Sequence, residues 1–238
     1  MQVRHGPTLR HLTLWTVLGI RAPMRPIRPS DRRVWLASRS PRRRMLLEQL
    51  GFEPLVRAAD ILEVPLEGEL AVDYTARLAA EKGQAVRIQL GPAAEPSWIV
   101  AADTVVVRGG VILEKPVDRA DAVAMLKRLS GEEHEVWTGF WIGSVDGAVE
   151  HSEVTRSRVR FREVDEALIA RYVDTGEPMD KAGAYGIQGI GGALVASIEG
   201  SYFNIVGLPV AQVAAVLRDL GALEGFPFAP KPHQEESP

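Results

Sequence analysis

The chain has 238 residues, of which 46% are hydrophobic and 25% are charged, with a net charge of −3 and no cysteine. These totals are typical of a globular protein with one large domain, or with two lobes that share a core. The sequence pI near 6.0 argues against a general nucleic-acid-binding protein. The lack of cysteine excludes disulfides, thiolate metal ligands and a cysteine nucleophile, and it fits a cytoplasmic location.

The two ends of the chain differ in composition from the middle. Five arginines and four prolines precede the first acidic residue, Asp31. The apolar run Leu12–Ile20 is too short and too interrupted to span a membrane, and no clear cleavage pattern follows it. We therefore predict a disordered extension over residues 1–32, or a translation start at Met24, then one folded domain over residues 33–222 and a disordered tail over residues 223–238.

The folded part begins with a predicted strand over Val34–Ala37, a polar turn, and a helix from Pro41 to about Leu50. Ser40 is a suitable N-cap, and proline is tolerated at the first helical position. Arginines fill positions 42–44 in the first turn, where the helix dipole disfavours cations. This pattern is favourable when an anion binds between the arginines and the free backbone N–H groups. It predicts a phosphate site, the alternative being three solvated surface arginines.

Helix-like and strand-like segments alternate along the rest of the domain, which predicts an α/β fold. In chain order they are a helix over Tyr74–Leu90, a buried strand over Trp98–Val107, a strand over Val111–Leu113, a helix from Asp118 through Leu129, strands over Val136–Val145 and Ala148–Phe161, a helix from Asp165 to near Gly176, a strand over Ala193–Ile198 and a last helix from Pro209. The dipeptide Asp146-Gly147 is typical of a tight hairpin turn. Because parallel and hairpin connections both occur, we expect a mixed sheet.

An acidic residue, Asp103, interrupts the most apolar of these strands. A lone carboxylate buried there would be costly and would tend to protonate. We predict that it faces a cation or water as a metal ligand or general base, the alternative being a structural hydrogen bond. Lys115 follows on the strand that returns after the turn at Gly109-Gly110. If this turn has two residues, Lys115 pairs with Thr104, and if it has three residues, Lys115 lies opposite Asp103. Either register brings the Lys115 ammonium near the Asp103 carboxylate. The two groups then form either a catalytic pair or a purely structural ion pair.

The segment Glu177–Gly189 is rich in glycine and carries charges of both signs. It is interpreted as a loop that folds against a ligand, or as a structured but inert loop. It does not match a dinucleotide-binding fingerprint, and the chain contains no P-loop motif, which excludes ordinary P-loop hydrolysis. The five histidines have no metal-binding spacing. The alternating arginines of residues 156–162 are interpreted as the solvated face of a strand.

Six short motifs are spread along the domain, from about Val34 to Leu220. They are Leu-Ala-Ser-x-Ser-Pro-Arg-Arg at 36–43, Ala-Asp-Thr-Val-Val at 102–106, Leu-x-Lys-Pro at 113–116, Leu-Ser-Gly-x-x-His-x-Val-x-Thr-Gly at 129–139, Asp-Lys-Ala-Gly-Ala-Tyr-Gly-Ile-Gln-Gly at 180–189 and Val-Gly-Leu-Pro at 206–209. Together, in this order, they resemble the Maf family of nucleoside triphosphate pyrophosphatases. The resemblance implies an elongated, two-lobed α/β fold with a central mixed sheet flanked by helices and a cleft between the lobes.

The resemblance also implies a reaction and a set of site residues. The family hydrolyses nucleoside triphosphates between the α and β phosphates, with a divalent cation such as Mg²⁺ or Mn²⁺. Asp103 matches the family's catalytic acid, which accepts a proton and binds metal, and Glu63 matches a second metal ligand. The other positions that match phosphate- or metal-handling residues are Ser38, Arg42, Arg43, Lys82 and Lys115. The implied partner is a small nucleotide, without nucleic acid or membrane contact, and a homodimer is a hypothesis.

Within the family, the chain resembles the branch that acts on dTTP and UTP. Arg42, Thr104 and Gln188 fall on the positions linked to base choice, whereas the branch that acts on 7-methyl-GTP usually has glutamine after the catalytic aspartate. The chain departs from the common pattern at Arg39, usually a small residue, and at Glu114, often glycine. Clearing of non-standard nucleotides is one role that such an enzyme could serve. Because the family is associated with septum inhibition, the alternative is a nucleotide-sensing regulator of cell division without essential catalysis.

Overall fold

The computed structural model describes residues 32–223, so the predicted disordered ends lie outside the described range except for residues 32 and 223. The elements are β1 (Arg33–Leu36), α1 (Pro41–Gln49), β2 (Glu53–Val56), α2 (Ala71–Leu90), β3 (Trp98–Arg108), β4 (Val111–Leu113), α3 (Arg119–Leu129), β5 (Glu133–Ser144), β6 (Glu150–Phe161), α4 (Glu166–Asp174), β7 (Val195–Glu199), α5 (Tyr202–Val206) and α6 (Val210–Asp219), with 3₁₀ turns at Glu177–Asp180, Ala182–Ala184 and Ile190–Leu194. Within residues 32–223 no helix combines the length and apolar character needed to cross a membrane.

Capping side chains confirm where the predicted helices begin. The Ser40 hydroxyl accepts a hydrogen bond from the backbone N–H of the third residue of α1, and the carboxylates of Asp118 and Asp165 do the same for α3 and α4. Such bonds satisfy N–H groups that have no partner inside the helix. Two short elements, β2 and α5, were not predicted, because four or five residues are too few to show a hydrophobic period.

The hairpin between β5 and β6 has a longer loop than predicted. The backbone N–H of Ser144 donates to the carbonyl of Val149 at 2.8 Å, and five residues, 145–149, lie between the two strands. The Asp146 carboxylate accepts hydrogen bonds from the Ser144 hydroxyl at 2.6 Å and from the Ala148 N–H at 3.0 Å. The prediction of a tight turn was wrong because this side chain organises a wider loop, as aspartate often does.

The sheet is mixed, as predicted, with the strand order β2-β1-β3-β5-β6-β7 and with β4 also paired to β3. Strand β1 is parallel to β2 and β3, and the other pairs are antiparallel. On one edge, β3 pairs with β5 from Trp98 to Val107. On its other edge it pairs with β1 only at Ile99 and Val100, and with β4 only from Val106 to Arg108. Among the described strands, none pairs with residues 101–105 on that edge.

The register of β3 and β4 shows that the turn at Gly109-Gly110 has two residues, since Arg108 pairs with Val111. Both glycines have positive φ, +58° and +76°, as the tight hairpin turn requires. Of the two registers considered, the structure therefore has the one that brings Lys115 level with Thr104, although β4 itself ends at Leu113.

The side chains of β3 alternate between two faces of the sheet. Ile99 and Ala101 pack with α2 on one face. Val100 and Val106 belong to separate clusters on the other face, the first built with α1 and α6 and the second with α3 and α4. These two clusters are the cores of the two predicted lobes, and the unpaired stretch of β3 lies between them.

Arg156 and Arg158 of β6 form ion pairs with neighbouring strands on a partly exposed face, in agreement with the interpretation of these arginines as a solvated face. Arg156 is 3.1 Å from Glu135 of β5, and Arg158 is 3.2 Å from Glu199 of β7. Surface pairs of this kind contribute little to stability.

A buried histidine lies in the second lobe. His134 is 2% exposed, its Nε2 is 2.9 Å from the Tyr185 hydroxyl, and its ring contacts Phe161 and Tyr185 edge to face. Burial, assisted by the charge of Arg108, lowers the pKa of His134 to about 4. The ring is therefore neutral at physiological pH and packs against the two aromatic rings.

This histidine should make stability depend on pH. As the pH falls below 6.5, the unfolded chain gains a proton at His134 that the folded protein does not accept until about pH 4. The free energy of unfolding should therefore fall by about 1.4 kcal/mol per pH unit in that window. We expect wild type to lose about 2 kcal/mol more than His134→Gln between pH 7.5 and 5.0, measured by urea unfolding. Equal losses in the two proteins would contradict the assignment.

Candidate active site

The candidate site lies at the carboxyl end of β1, where ligands commonly bind in sheets with parallel strands. The chain leaves the sheet after Leu36 and turns through Ser38 and Ser40 into α1. The Ser38 hydroxyl accepts a hydrogen bond from the Ser40 N–H at 3.2 Å, which shapes this turn. The turn thus directs the N-terminus of α1 toward the unpaired edge of β3.

A cleft of about 830 Å³ opens at this edge. Its lining includes every site residue predicted from the sequence: Ser38, Arg42, Arg43, Glu63, Lys82, Asp103, Thr104, Lys115 and Gln188. The volume lies in the range of small-molecule and cofactor sites. The structure therefore brings the whole predicted set into one hollow, although the residues come from separate strands, helices and loops.

The centre of the cleft is a lysine between two carboxylates. The Lys82 Nζ is 2.6 Å from Asp103 Oδ1 and 2.8 Å from Glu63 Oε2. Asp103 and Lys82 are buried, with 6% and 8% exposure, whereas the Glu63 side chain is 45% exposed on the loop before α2. Asp103 therefore has a cationic partner, as predicted, but the partner is Lys82 of α2 and not Lys115.

The approach of α2 to the sheet makes this ion pair possible. Asp103 lies beside Gly139 of β5, and a methyl group at Gly139 would lie 2.3 Å from the backbone oxygen of Thr75 in α2. At Gly83 a methyl group would lie 2.1 Å from the ring of Trp141. Glycine at both positions lets the helix backbone pack close to the strands. Lys82 is carried to Asp103 by this close packing.

Arg43 joins three parts of the cleft. Its Nε donates to the Gly207 carbonyl at 2.9 Å, and its two Nη atoms donate to the hydroxyls of Ser38 and Thr104 at 3.1 and 3.0 Å. Burial lowers the pKa of Arg43, although the nearby charge of Asp103 acts in the opposite direction. The alternative of three solvated arginines therefore does not hold for Arg43.

The other two arginines of α1 differ from Arg43. Arg42 lines the cleft, and its Nη1 is 2.8 Å from the carboxylate of Asp180 in the glycine-rich segment. Burial raises the pKa of Asp180, but hydrogen bonds from Lys181 and Arg42 outweigh it and lower the pKa to about 2. Arg44 pairs with Glu48 one helical turn away, on the exposed side of α1. Two of the three arginines thus face the cleft.

Thr104 lies on the floor of the cleft in a chain of hydroxyl groups. Its Oγ1 is 2.9 Å from the Thr138 hydroxyl, which in turn donates to the carbonyl of Asn204 at 3.0 Å. The Asn204 side chain is fully buried and donates to the Val136 carbonyl and the Ser157 hydroxyl. Sequence reasoning missed Asn204, whose only signal was a polar amide in an otherwise apolar segment next to Val206-Gly207.

Both departures from the family pattern have partners. The Glu114 carboxylate, which lines the cleft, accepts a hydrogen bond of 2.6 Å from the hydroxyl of Tyr74, a residue 1% exposed. Arg39 pairs with Asp60 at 2.6 Å in the solvent. The negative charge that Glu114 adds beside Lys115 is thus hydrogen-bonded to a residue of α2.

Comparisons with known proteins identify the family of this chain. A family model described as "Maf-like protein" matches residues 33–220. The chain belongs to the Maf family.

Two relatives illustrate the Maf family assignment. A protein of Hahella chejuensis named dTTP/UTP pyrophosphatase is 50% identical over 193 residues, which cover 81% of this chain and 94% of the relative. A protein of Geobacter metallireducens with the same name is 47% identical over 197 residues, covering 82% of this chain and all of the relative. A solved structure from Mycobacterium abscessus is described as a nucleoside-triphosphatase / dITP/XTP pyrophosphatase. The match covers 80% of this chain and 97% of that chain, with 16% sequence identity and a TM-score of 0.36, and no argument rests on it.

Proposed function

We propose that this protein hydrolyses nucleoside triphosphates, with dTTP and UTP preferred, to the nucleoside monophosphate and pyrophosphate. The observation that carries the proposal is the position of Asp103 on an unpaired strand edge, in the same cleft as the basic N-terminus of α1. The names of the Maf relatives support the same substrates. A cytoplasmic location and a homodimeric assembly remain hypotheses.

The triphosphate would lie between α1 and the lysines of the cleft. Arg42, Arg43, Lys82 and Lys115 all line it, and Ser38 adds a hydroxyl at the turn before α1. Catalysis of phosphoryl and nucleotidyl transfer depends mainly on positioning and on neutralising charge. In our proposal these residues offset the charge that develops on the departing pyrophosphate.

Asp103 is proposed to accept the proton of the attacking water. The water oxygen forms a bond to the α phosphorus, the bond from that phosphorus to the bridging oxygen breaks, and pyrophosphate leaves. A general base must be held within reach of the proton, and a carboxylate on a central strand satisfies that requirement. Lys82, at 2.6 Å, holds the Asp103 carboxylate in place.

A divalent cation fits the carboxylates of this site. The Lys82 ammonium lies between Asp103 and Glu63, at 2.6 and 2.8 Å, so the two carboxylates already converge on one positive charge. Within residues 32–223 no group of three or more acidic or histidine side chains forms a complete metal cage. One or two carboxylates plus substrate phosphates are the usual ligands of Mg²⁺. When bound, the metal would supply charge neutralisation for the phosphates, with Asp103 and Glu63 as its protein ligands.

Base choice is proposed to lie with Arg42, Thr104 and Gln188. All three line the cleft, and the exposed Gln188 amide can both donate and accept hydrogen bonds, as a pyrimidine edge requires. The regulatory alternative has no specific contact in its favour among the described residues. A sensor would not need a buried acid–lysine pair, whose desolvation is costly.

A panel of nucleotides tests the proposed function. We expect dTTP and UTP to give a kcat/KM at least about tenfold above that of dCTP, dATP and 7-methyl-GTP, with pyrophosphate and the monophosphate as products in the presence of Mg²⁺ or Mn²⁺. Chelation of the metal with EDTA should abolish turnover. Faster hydrolysis of 7-methyl-GTP would refute the assignment to the dTTP/UTP branch, and release of orthophosphate alone would refute the proposed bond cleavage.

A further inference from the structure

A single carboxylate lies beneath the glycine-rich loop that carries Gln188. Glu177 follows α4, and its Oε1 accepts hydrogen bonds from the Tyr172 hydroxyl at 2.8 Å and from the Gly191 N–H at 2.9 Å. Its Oε2 accepts a hydrogen bond from the Ile190 N–H at 2.9 Å. One side chain thus holds a phenol and two backbone groups at the same time.

These contacts hold both ends of the turn that carries Gln188. A hydrogen bond of 3.2 Å from the Gly189 N–H to the Gly186 carbonyl closes the turn, with Ile187 and Gln188 at its centre. Before the turn, the Gly186 N–H donates to the Tyr172 hydroxyl at 3.0 Å. After the turn, the next two N–H groups donate to Glu177. The pair of Tyr172 and Glu177 therefore holds the turn from both sides, and Gln188 at its centre lines the cleft.

The glycines of this loop are needed for the carboxylate to reach the backbone. A methyl group at Gly189 would lie 2.3 Å from Glu177 Oε2, and one at Gly191 would lie 2.4 Å from the Tyr172 hydroxyl. The sequence interpretation was that glycine permits close approach of a ligand. The described contacts show that, at these two positions, glycine permits close approach of Glu177 and Tyr172.

A neutral glutamine at position 177 could not accept all three of the hydrogen bonds that the Glu177 carboxylate accepts. Burial raises the pKa of Glu177, but the hydrogen bonds from Gly191, Ile190 and Tyr172 outweigh it and the pKa is lowered. A carboxylate offers two acceptor oxygens, whereas an amide offers one and turns an NH₂ group toward at least one N–H donor. Two donor groups that face each other cannot form a hydrogen bond, so at least one bond that holds the turn is lost and the turn should loosen locally.

We infer that Glu177 is a positioning residue for base discrimination, acting through the Gln188 turn. The inference rests on the proposed function and adds a second residue of the cleft lining, Glu177, which holds the turn that carries Gln188. Because the proposed triphosphate contacts come from Ser38, α1, α2 and Lys115, which lie outside this loop, loosening the turn should weaken selection of the base more than hydrolysis itself.

The test compares Glu177→Gln with wild type on dTTP and dCTP. We expect the ratio of kcat/KM for dTTP over dCTP to fall about tenfold, through a higher KM for dTTP, with kcat/KM for dCTP changed less than about twofold. The matched control is Glu166→Gln, because Glu166 is an exposed residue of α4 paired with Lys127 and should leave the ratio unchanged. An equal loss on both nucleotides, or no loss, would overturn the inference.

A double-mutant cycle shows whether Glu177 acts through Gln188. Gln188→Ala alone should lower the same ratio, and adding Glu177→Gln should lower it no further, since the two changes remove one contact. Additive losses would show that Glu177 acts elsewhere and would overturn the inference. If Glu177→Gln does not fold, Tyr172→Phe, which removes the other half of the pair, should give the same selective loss.

Amide hydrogen exchange separates this inference from the proposed function. In Glu177→Gln the N–H groups of Ile190 and Gly191 should exchange at least about tenfold faster than in wild type, whereas amides of α4 should not change. Unchanged exchange would overturn the inference whatever the activity. A wild-type protein that hydrolyses no nucleotide would refute the proposed function and leave this exchange result to decide whether Glu177 holds the turn.

Discussion

Asp103→Asn is expected to lower kcat for dTTP hydrolysis at least about 100-fold while the protein stays folded and still binds nucleotide. Asparagine has nearly the same shape but cannot accept the proton of the attacking water. Lys82 keeps its pair with Glu63 at 2.8 Å, so the buried ammonium is not left without a partner. Loss of one negative charge should not weaken the binding of an anionic triphosphate. The predicted effect therefore falls on kcat and spares affinity.

Single-turnover kinetics and a direct titration of nucleotide binding measure the two quantities separately. The matched control is Asp174→Asn, because Asp174 forms an exposed pair with Arg119 at 2.8 Å and neither residue lines the cleft. Exposed pairs are worth little, so the control should keep its activity and its midpoint of unfolding. Near-normal turnover of Asp103→Asn would remove Asp103 from the role of proton acceptor.

Gly139→Ala is expected to lower the free energy of unfolding by about 3 kcal/mol or more, which is at or above the upper end for overpacking a core. The added methyl group would lie 2.3 and 2.5 Å from the carbonyl oxygen and carbon of Thr75 and 2.8 Å from the backbone nitrogen of Ala76. These are backbone atoms of α2, which cannot rotate away as a side chain can. The helix must therefore move off the sheet, carrying Lys82 away from Asp103.

Urea unfolding and steady-state kinetics together check this prediction. We expect Gly139→Ala to lose activity as well as stability, because α2 holds Lys82. Adding Thr75→Ala should not rescue either property, since the contact involves the Thr75 backbone and not its side chain. Rescue by Thr75→Ala, or an unchanged midpoint of unfolding in Gly139→Ala, would show that the helix is not held by this backbone contact.

Several local features were predictable because they depend on neighbouring residues. Ser40, Asp118 and Asp165 predicted where helices begin, since a capping side chain acts on backbone groups within three residues. The paired glycines 109 and 110 were compatible with a two-residue turn that brings Lys115 level with Thr104. The family motifs then identified cleft residues that no local pattern could connect, since they are spread over about 150 positions from Ser38 to Gln188.

The partners of those residues were decided by tertiary packing. The ammonium beside Asp103 belongs to Lys82, because Gly83 and Gly139 let α2 lie close to the sheet. The sequence by itself determined the longer elements and the chemical groups available to the site, since those follow from short-range periodicity and residue type. Which lysine meets the acid, which groups bind Arg43 and which carboxylate holds the Gln188 turn depend on contacts between distant segments. These contacts are set by how helices, strands and loops pack against one another, and the local sequence patterns do not show them.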